Sequence, residues 1–131
     1  MAKKKKILIV DDEPIFLEMM KMRLEANNYE VITTLNGKDA IRLVKREKPN
    51  AVLLDILMPV VDGLKTLKAI RKIKKDLPVF MVTAFSNKER FELANKFGAS
   101  GFIVKTSNLN KEVENITRAL NIADKYHDRG R

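Results

Sequence analysis

Short unbroken apolar runs alternate along the chain with segments in which apolar residues recur every three or four positions. Residues 51–54 are apolar without interruption and are followed by Asp55. Such a run is typical of a strand buried on both faces, as in a parallel sheet. Four further runs, several of them rich in β-branched residues, also predict strands. The five predicted strands cover residues 6–10, 29–35, 51–55, 78–82 and 101–104.

The segments after the strands have helical periodicity. Pro14 suits the first turn of helix one, which is predicted to end near Ala26. Ser86 and Glu89 have the Ser-x-x-Glu spacing of a capping box and predict the start of helix four, which Gly98 ends. The residues expected to face the core are Phe16, Met19, Met20 and Leu24 in helix one; Ala40, Ile41 and Val44 in helix two; Leu64, Leu67 and Ile70 in helix three; and Leu109, Val113, Ile116 and Leu120, after an Asn108 cap, in helix five. Five βα units in a row predict an α/β domain with a parallel sheet.

Length and composition fit one globular domain. The 131 residues suffice to bury a core, and 45% of them are hydrophobic and 33% charged. The absence of cysteine excludes disulfides and thiolate chemistry. The apolar run at residues 7–10 is too short for a signal sequence or a membrane span, so a cytoplasmic location is expected.

The chain is basic, with a net charge of +9 from 26 basic and 17 acidic residues. Such an excess can attract nucleic acid, an anionic membrane or an acidic protein. The lysines are scattered over polar helix faces and are not interleaved with aromatic residues, and the one dense block, residues 3–6, resembles a solvated tail. Direct nucleic-acid binding and membrane binding are therefore not expected.

Polar residues follow four of the predicted strands. Asp11 and Asp12 come after strand one, Asp55 ends strand three, Thr83 follows strand four and Lys105 follows strand five. In a parallel sheet these positions meet at one edge, where ligands of open α/β sheets bind. Clustered carboxylates repel one another, and Mg²⁺, a hydroxyl and an ammonium around them would suit transfer of a phosphoryl group to a carboxylate. Individually, Asp12 could instead cap a helix, and Thr83 and Lys105 could be ordinary strand-end and surface residues.

Four motifs give the chain a family resemblance. They are Ile-Val-Asp-Asp-Glu-Pro at residues 9–14, Leu-Leu-Asp-Ile-Leu-Met-Pro-Val-Val-Asp-Gly at 53–63, Val-Thr-Ala at 82–84 and Gly-Ala-Ser-Gly-Phe-Ile-Val-Lys at 98–105. With these motifs the chain resembles the receiver domain of bacterial two-component response regulators. The resemblance covers about residues 5–124 and implies a doubly wound, flavodoxin-like sheet of five parallel strands in the order 2-1-3-4-5. We expect a single receiver domain over residues 1–131, with no output domain in this chain.

The resemblance also implies roles for the strand-end residues. Asp55 would accept the phosphoryl group, and Asp11 and Asp12 would hold Mg²⁺ together with Asp55 and the backbone carbonyl of Leu57. Thr83 and Lys105 would bind the phosphoryl oxygens. Thr83 and the aromatic residue Phe102 would form the switch that reports phosphorylation. The protein would catalyse only its own phosphorylation and dephosphorylation.

The partners implied by the resemblance are a histidine kinase or phosphotransfer protein and a downstream protein. The downstream partner would bind the face formed by helix four, strand five and helix five, for which Phe85, Phe91 and Lys96 are candidate contacts. A phosphorylation-dependent homodimer is the alternative.

Three sequence positions differ from the family pattern or bear on its chemistry. The family lysine usually precedes a cis-proline, whereas Thr106 follows Lys105 here. A cis bond before threonine costs roughly 2.5–4 kcal/mol, so either this bond is trans with an altered loop or it is cis at that cost. Leu57 and Phe85, two residues after Asp55 and Thr83, cannot hydrogen-bond water, which predicts slow hydrolysis of the acyl phosphate.

Two other classes of protein use similar residues. A haloacid-dehalogenase-type phosphatase would need a second Asp two residues after its nucleophile, where this chain has Leu57. A flavin- or nucleotide-binding module would be expected to carry a glycine-rich phosphate loop, and neither Gly-x-Gly-x-x-Gly nor Gly-x₄-Gly-Lys-Ser/Thr occurs.

Overall fold

A computed structural model describes residues 4–56, 63–83, 88–105 and 108–129, without the side chains of Leu109 and of residues 124–129. Strands and helices alternate through this part of the chain, as the apolar pattern predicts. Their bounds are β1 Lys6–Val10, α1 Pro14–Ala26, β2 Glu30–Thr34, α2 Gly37–Glu47, β3 Ala51–Asp55, α3 Gly63–Ile73, β4 Val79–Thr83, α4 Lys88–Lys96, β5 Gly101–Val104 and α5 Leu109–Arg129.

The five strands form one sheet in the order β2-β1-β3-β4-β5, and each neighbouring pair is parallel. This confirms the predicted doubly wound topology. The central strand β3 is buried along its whole length, which explains its lack of polar residues before Asp55. No helix in the described part of the chain is long and apolar enough to cross a bilayer.

Helices cover both faces of the sheet. On one face, α1 and α5 bury side chains against β1, β3, β4 and β5, with Leu24 and Ile116 almost completely buried. On the other face, α2, α3 and α4 pack over β1, β3 and β4, with Val44, Leu67 and Ala94 fully buried. The alternation of side chains along each strand thus supplies two separate cores.

The predicted core face of α1 is partly wrong. Met20 and Leu24 are buried as predicted, but the third buried position is Leu17, whereas Phe16 is half-buried and Met19 is 41% exposed. The first turns of α1 carry apolar residues on nearly every side, so spacing alone does not select one face. The packing selects the row at positions 17, 20 and 24, with intervals of three and four residues.

Local signals set several helix ends. The side chain of Asn36 caps α2 by accepting a 2.9 Å hydrogen bond from the Asp39 amide. Asn108 caps α5 as predicted, accepting a 3.2 Å bond from the Lys111 amide. Helix α4 begins at Lys88, and the predicted cap Ser86 lies outside the described residues. Helix α5 continues to Arg129, beyond the expected end of the core near residue 124.

The guanidinium of Arg71, near the C-terminal end of α3, links this helix to two loops. Arg71 donates from Nε to the carbonyl of Gly98 at 2.8 Å and from an Nη to the carbonyl of Leu77 at 2.6 Å. It also reaches the Lys74 carbonyl at 3.1 Å and the Ser100 hydroxyl at 3.3 Å. Because these acceptors belong to the α3–β4 and α4–β5 connections, Arg71 fixes both loops to α3.

Candidate functional site

The carboxyl ends of the strands bring the predicted polar residues to one edge of the sheet. Asp11 directly follows β1, Asp55 ends β3, Thr83 ends β4 and Lys105 follows β5. Asp55 pairs in register with Val82, so Thr83 lies one position beyond it on the neighbouring strand. The Lys105 amide donates a 2.7 Å hydrogen bond to the Thr83 carbonyl, which prolongs the β4–β5 pairing past the end of β5.

Three carboxylates converge at this edge. One oxygen from each of Asp11, Asp12 and Asp55 lies within 4.8 Å of the others. Asp11 is 1% exposed and Asp55 is 6% exposed, whereas Asp12 faces solvent. Like charges this close disfavour simultaneous ionisation unless a cation lies among them.

The two oxygens of Asp11 have different surroundings. Oδ1 accepts a 3.0 Å hydrogen bond from the Glu13 amide. Oδ2 lies 2.6 Å from Nζ of Lys105, but no described group makes an aligned hydrogen bond to this buried oxygen. Burial raises the pKa of Asp11 above its ordinary value, and the nearby Lys105 ammonium opposes this rise without cancelling it.

Lys105 supplies the positive charge of the cluster. Its Nζ is 3.8 Å from Oδ2 of Asp55 and 3.3 Å from Oε1 of Glu13, in addition to the contact with Asp11. Burial lowers the pKa of Lys105, but these carboxylates outweigh burial and leave the pKa above its ordinary value. The side chain is therefore a charged ammonium aimed at the Asp55 carboxylate.

Glu13 and Phe16 belong to this environment, although no pattern in the sequence indicates a role in the site for either. Glu13 is the N-cap residue of α1, yet its side chain makes no cap hydrogen bond and instead contacts Lys105. The Lys105 ammonium lies 4.3 Å from the ring centroid of Phe16, within cation–π distance. Helical periodicity treats Phe16 only as a core residue, so no local signal indicates this contact.

Gly63 lets α3 begin directly against the site. A Cβ built at this position would lie 2.1 Å from the carbonyl oxygen of Asp55 and 2.8 Å from Cα of Ile56. The Gly63 amide also donates a 3.0 Å hydrogen bond to the Ile56 carbonyl. Only glycine permits this approach, which explains the glycine at the end of the second motif.

Comparisons with known proteins agree with this geometry. The family profile of the response regulator receiver domain matches residues 7–117. The chain belongs to the response regulator receiver domain family. It is therefore a domain of two-component signalling, a class of system that implies a histidine kinase as partner.

Individual curated relatives resemble the receiver domain in sequence. The chain is 34% identical over 122 residues to the alkaline phosphatase synthesis transcriptional regulatory protein PhoP of Bacillus subtilis, covering 91% of this chain and 51% of PhoP. It is 37% identical over 117 residues to the probable transcriptional regulator ycf27 of Cyanophora paradoxa, covering 89% of this chain and 48% of that protein. The chain thus spans about half the length of these curated relatives.

Two solved structures share the fold closely. A CheY-like receiver domain protein from Methanospirillum hungatei superimposes with a TM-score of 0.86 at 29% identity, covering 95% of this chain and 99% of that one. Chemotaxis protein CheY4 of Vibrio cholerae gives a TM-score of 0.83 at 28% identity, covering 89% of this chain and 99% of that one.

The receiver domain's acidic cluster fits a hard divalent cation. Carboxylate oxygens are the ligands that Mg²⁺ prefers, and the buried Oδ2 of Asp11 accepts no aligned hydrogen bond from the described residues, its nearest cation being the Lys105 ammonium at 2.6 Å. Asp11, Asp12 and Asp55 could each provide one oxygen. The predicted fourth ligand, the carbonyl of Leu57, lies outside the described residues.

The predicted switch residues of the receiver domain occupy adjacent strands. Thr83 is 1% exposed, whereas Phe102 on β5 is 37% exposed. The Phe102 ring packs edge-on against Phe91 of α4, with centroids 4.8 Å apart and an interplanar angle of 76°. Phe85 and Thr106 lie outside the described residues, so the Lys105–Thr106 bond and the surroundings of Phe85 stay predictions.

Proposed function

We propose that this receiver domain accepts a phosphoryl group on Asp55 in a Mg²⁺-dependent reaction and thereby switches its protein contacts. The observation that carries the proposal is the placement of a nearly buried Asp55 carboxylate beside two further carboxylates and the Lys105 ammonium. Such a site can position a phosphodonor and neutralise its charge. The domain would act only on itself, as a signalling switch.

The proposed step is a transfer between two nucleophiles. A carboxylate oxygen of Asp55 forms a bond to phosphorus while the bond from phosphorus to the donor histidine nitrogen breaks, and that nitrogen leaves with its electron pair. Lys105 and Thr83 would bind the phosphoryl oxygens. When bound, Mg²⁺ would offset the repulsion between the carboxylates and the incoming phosphoryl group.

The exposed side of α1 offers a contact surface for the phosphodonor. Ile15 is 76% exposed, Met19 41% and Met22 67%, and intervals of four and three residues place them on one helix face. This apolar row begins two residues after Glu13, which touches the site through Lys105. We propose that it packs against the helical phosphotransfer region of a histidine kinase or phosphotransfer protein.

The edge strand β5 and the neighbouring helix α4 offer a surface for the downstream partner. On the edge strand β5, Phe102 is 37% and Val104 48% exposed, and Phe91 of α4 packs on Phe102. A cleft of about 570 Å³ lies beside these rings, between α4 and β5. These features support the face of α4, β5 and α5 as the surface for a downstream protein, with a phosphorylation-dependent homodimer as the alternative.

Phosphorylation from a small donor tests the chemistry directly. With acetyl phosphate and Mg²⁺, intact-mass spectrometry should show one added phosphoryl group that is lost in base. The Asp55→Asn variant should gain none, and chelation by EDTA should abolish the reaction in the wild type. Asp76→Asn is the matched control. It removes an exposed carboxylate from the α3–β4 connection, at the amino ends of the strands, and should react normally. Undiminished labelling of Asp55→Asn would disprove the assignment.

We also propose that the domain works in the cytoplasm, the location expected from its sequence and consistent with a role in two-component signalling. Fractionation of cells that express the tagged natural protein would test this location.

A further inference from the structure

A second concave site lies at the amino edge of the sheet, opposite the acidic cluster. The cavity has a volume of about 440 Å³ and is bounded by the segments that lead into β1, β3 and β4, together with one side of α5. Each strand spans only four or five residues, so this edge is roughly 15 Å from the carboxyl edge. A ligand here would not occupy the proposed phosphorylation site.

The rim of the cavity is basic. Lys48 lies on the α2–β3 connection, and Lys74 and Lys75 lie on the α3–β4 connection, all three with exposed side chains. Within the described residues, none of these three ammonium groups forms an ion pair. Among the lining side chains that the structure describes, Asp76 is the one acidic residue, so this part of the rim carries a surplus of positive charge.

Among the described residues, Lys6, which lies near the rim, has acidic partners, unlike the three rim lysines. Lys6, at the start of β1, lies 3.7 Å from a carboxylate oxygen of Glu47 and 4.0 Å from one of Glu30. The nearby acidic side chains thus compensate Lys6 and leave the charges of the rim unneutralised. An anionic ligand would supply the missing negative charge.

The floor of the cavity is partly apolar and largely preformed. Tyr29, Leu77 and Ala123 are half-buried side chains that present apolar surface to it, whereas Ile7, Val44 and Leu120, which also line it, are almost completely buried. Arg71 holds the α3–β4 connection in place by donating hydrogen bonds to the carbonyls of Lys74 and Leu77. A fixed cavity loses little conformational entropy when a ligand enters it.

We propose that this cavity is a binding site for small amphipathic organic anions, in which an apolar body contacts the floor and a sulfonate, carboxylate or phosphate group contacts Lys48, Lys74 and Lys75. The volume lies within the range of small-molecule pockets, roughly 300–1,000 Å³. An extended polyanion such as nucleic acid would use the rim without the floor. The apolar part of the lining therefore favours the small ligand.

Two dyes that share one apolar body test the proposal. The anionic probe 8-anilinonaphthalene-1-sulfonate should bind the wild-type chain at a single saturable site, measured by fluorescence titration and calorimetry. N-phenyl-1-naphthylamine, which lacks the sulfonate, should bind at least several-fold more weakly. Added salt, from about 0.05 M to about 0.5 M, should weaken the binding of the anionic dye because it screens the lysines.

Matched variants separate the rim charges from the total charge. The triple substitution Lys48→Gln, Lys74→Gln and Lys75→Gln should weaken binding of the anionic dye about tenfold, as expected for three exposed charge contacts. The control replaces Lys21, Lys38 and Lys111, exposed lysines that do not line the cavity, by glutamine and should leave binding unchanged. Ala123→Phe, which adds a ring to the cavity wall, should reduce binding of both dyes.

NMR shifts locate the bound dye. In the wild type, binding should shift the amides of residues 48–51 and 74–77, and Asp55→Asn should show the same shifts and affinity. Equal affinity of the triple variant and its control would overturn the proposal, as would shifts confined to Phe91 and Phe102. A tight complex with a single-stranded oligonucleotide that excludes the dye and loses affinity in the same triple variant would replace the small anion by nucleic acid as the occupant.

Discussion

The Lys105 ammonium lies 2.6 Å from Oδ2 of Asp11, at the point where three carboxylates converge. One ammonium cannot neutralise three carboxylates, so the cluster keeps an excess of negative charge. We predict that Mg²⁺ raises the thermal unfolding midpoint of the wild type. At a concentration 100 times the dissociation constant, a ligand that binds only the folded state adds about 2.7 kcal/mol.

Two substitutions that each remove one carboxylate, one in the cluster and one outside it, test where Mg²⁺ binds. Asp12→Asn should lose most of the Mg²⁺-dependent rise, whereas Asp76→Asn should keep it. Differential scanning calorimetry with and without EDTA measures both. An equal rise in the two variants would show that Mg²⁺ does not bind at the cluster.

Phosphorylation should be sensed through Thr83 and Phe102. Thr83→Ala should leave labelling of Asp55 by acetyl phosphate largely intact, because the nucleophile and the carboxylates remain. It should reduce the shifts that phosphorylation causes in the amides of Phe91 and Phe102, which share a ring contact. NMR spectra of both proteins provide the test. Wild-type shifts restricted to the Asp55 pocket would contradict the coupling.

Gly63 should tolerate no side chain, since a Cβ there would lie 2.1 Å from the Asp55 carbonyl oxygen. Gly63→Ala should lower the free energy of unfolding by more than about 3 kcal/mol, because backbone atoms must move. Gly101→Ala is the control, since its Cβ would meet only the Phe80 ring at 3.2 Å, and we expect a loss of about 1 kcal/mol. Urea denaturation compares the two, and similar losses would show that the chain adapts easily around Gly63.

Arg71 should stabilise the fold more through the geometry of its hydrogen bonds than through its charge. A lysine cannot reproduce the four separate hydrogen bonds to two loops, so Arg71→Lys should reduce the free energy of unfolding by about 2 kcal/mol or more. Arg118→Lys, at an exposed position of α5 where the described partner is Glu114, should change it by less than about 0.5 kcal/mol. If both substitutions have equally small effects, the loops do not depend on the guanidinium.

The lifetime of the phosphorylated form is the last prediction, and it rests on the sequence. Leu57 and Phe85 cannot orient water, so the acyl phosphate should hydrolyse slowly. The double variant Leu57→Asn and Phe85→Glu should shorten the half-life at least several-fold, with phosphorylation still on Asp55. The decay of labelled protein, freed of donor, measures this, and an unchanged half-life would mean that these side chains do not control access of water.

The sequence predicts well those features that depend on short-range patterns. The uninterrupted apolar run before Asp55 predicts a central buried strand, and the polar residues after the other strands predict the composition of the site. The face of α1 is less predictable, since Leu17 and Met19 are both apolar and only packing buries the first. The contact of Lys105 with Glu13 spans 92 positions and depends on side-chain rotamers, so no local pattern could indicate it.

The parallel sheet also separates charge along the molecule. Among the described residues, its carboxyl edge holds the three clustered aspartates and Glu13 around the Lys105 ammonium, and its amino edge carries the lysine rim. These two clusters therefore carry local charge excesses of opposite sign in a chain whose net charge is +9. An anionic surface should attract the lysine edge and repel the acidic cluster. The Asp55 pocket would then face away from that surface, open to a partner that arrives from the opposite side.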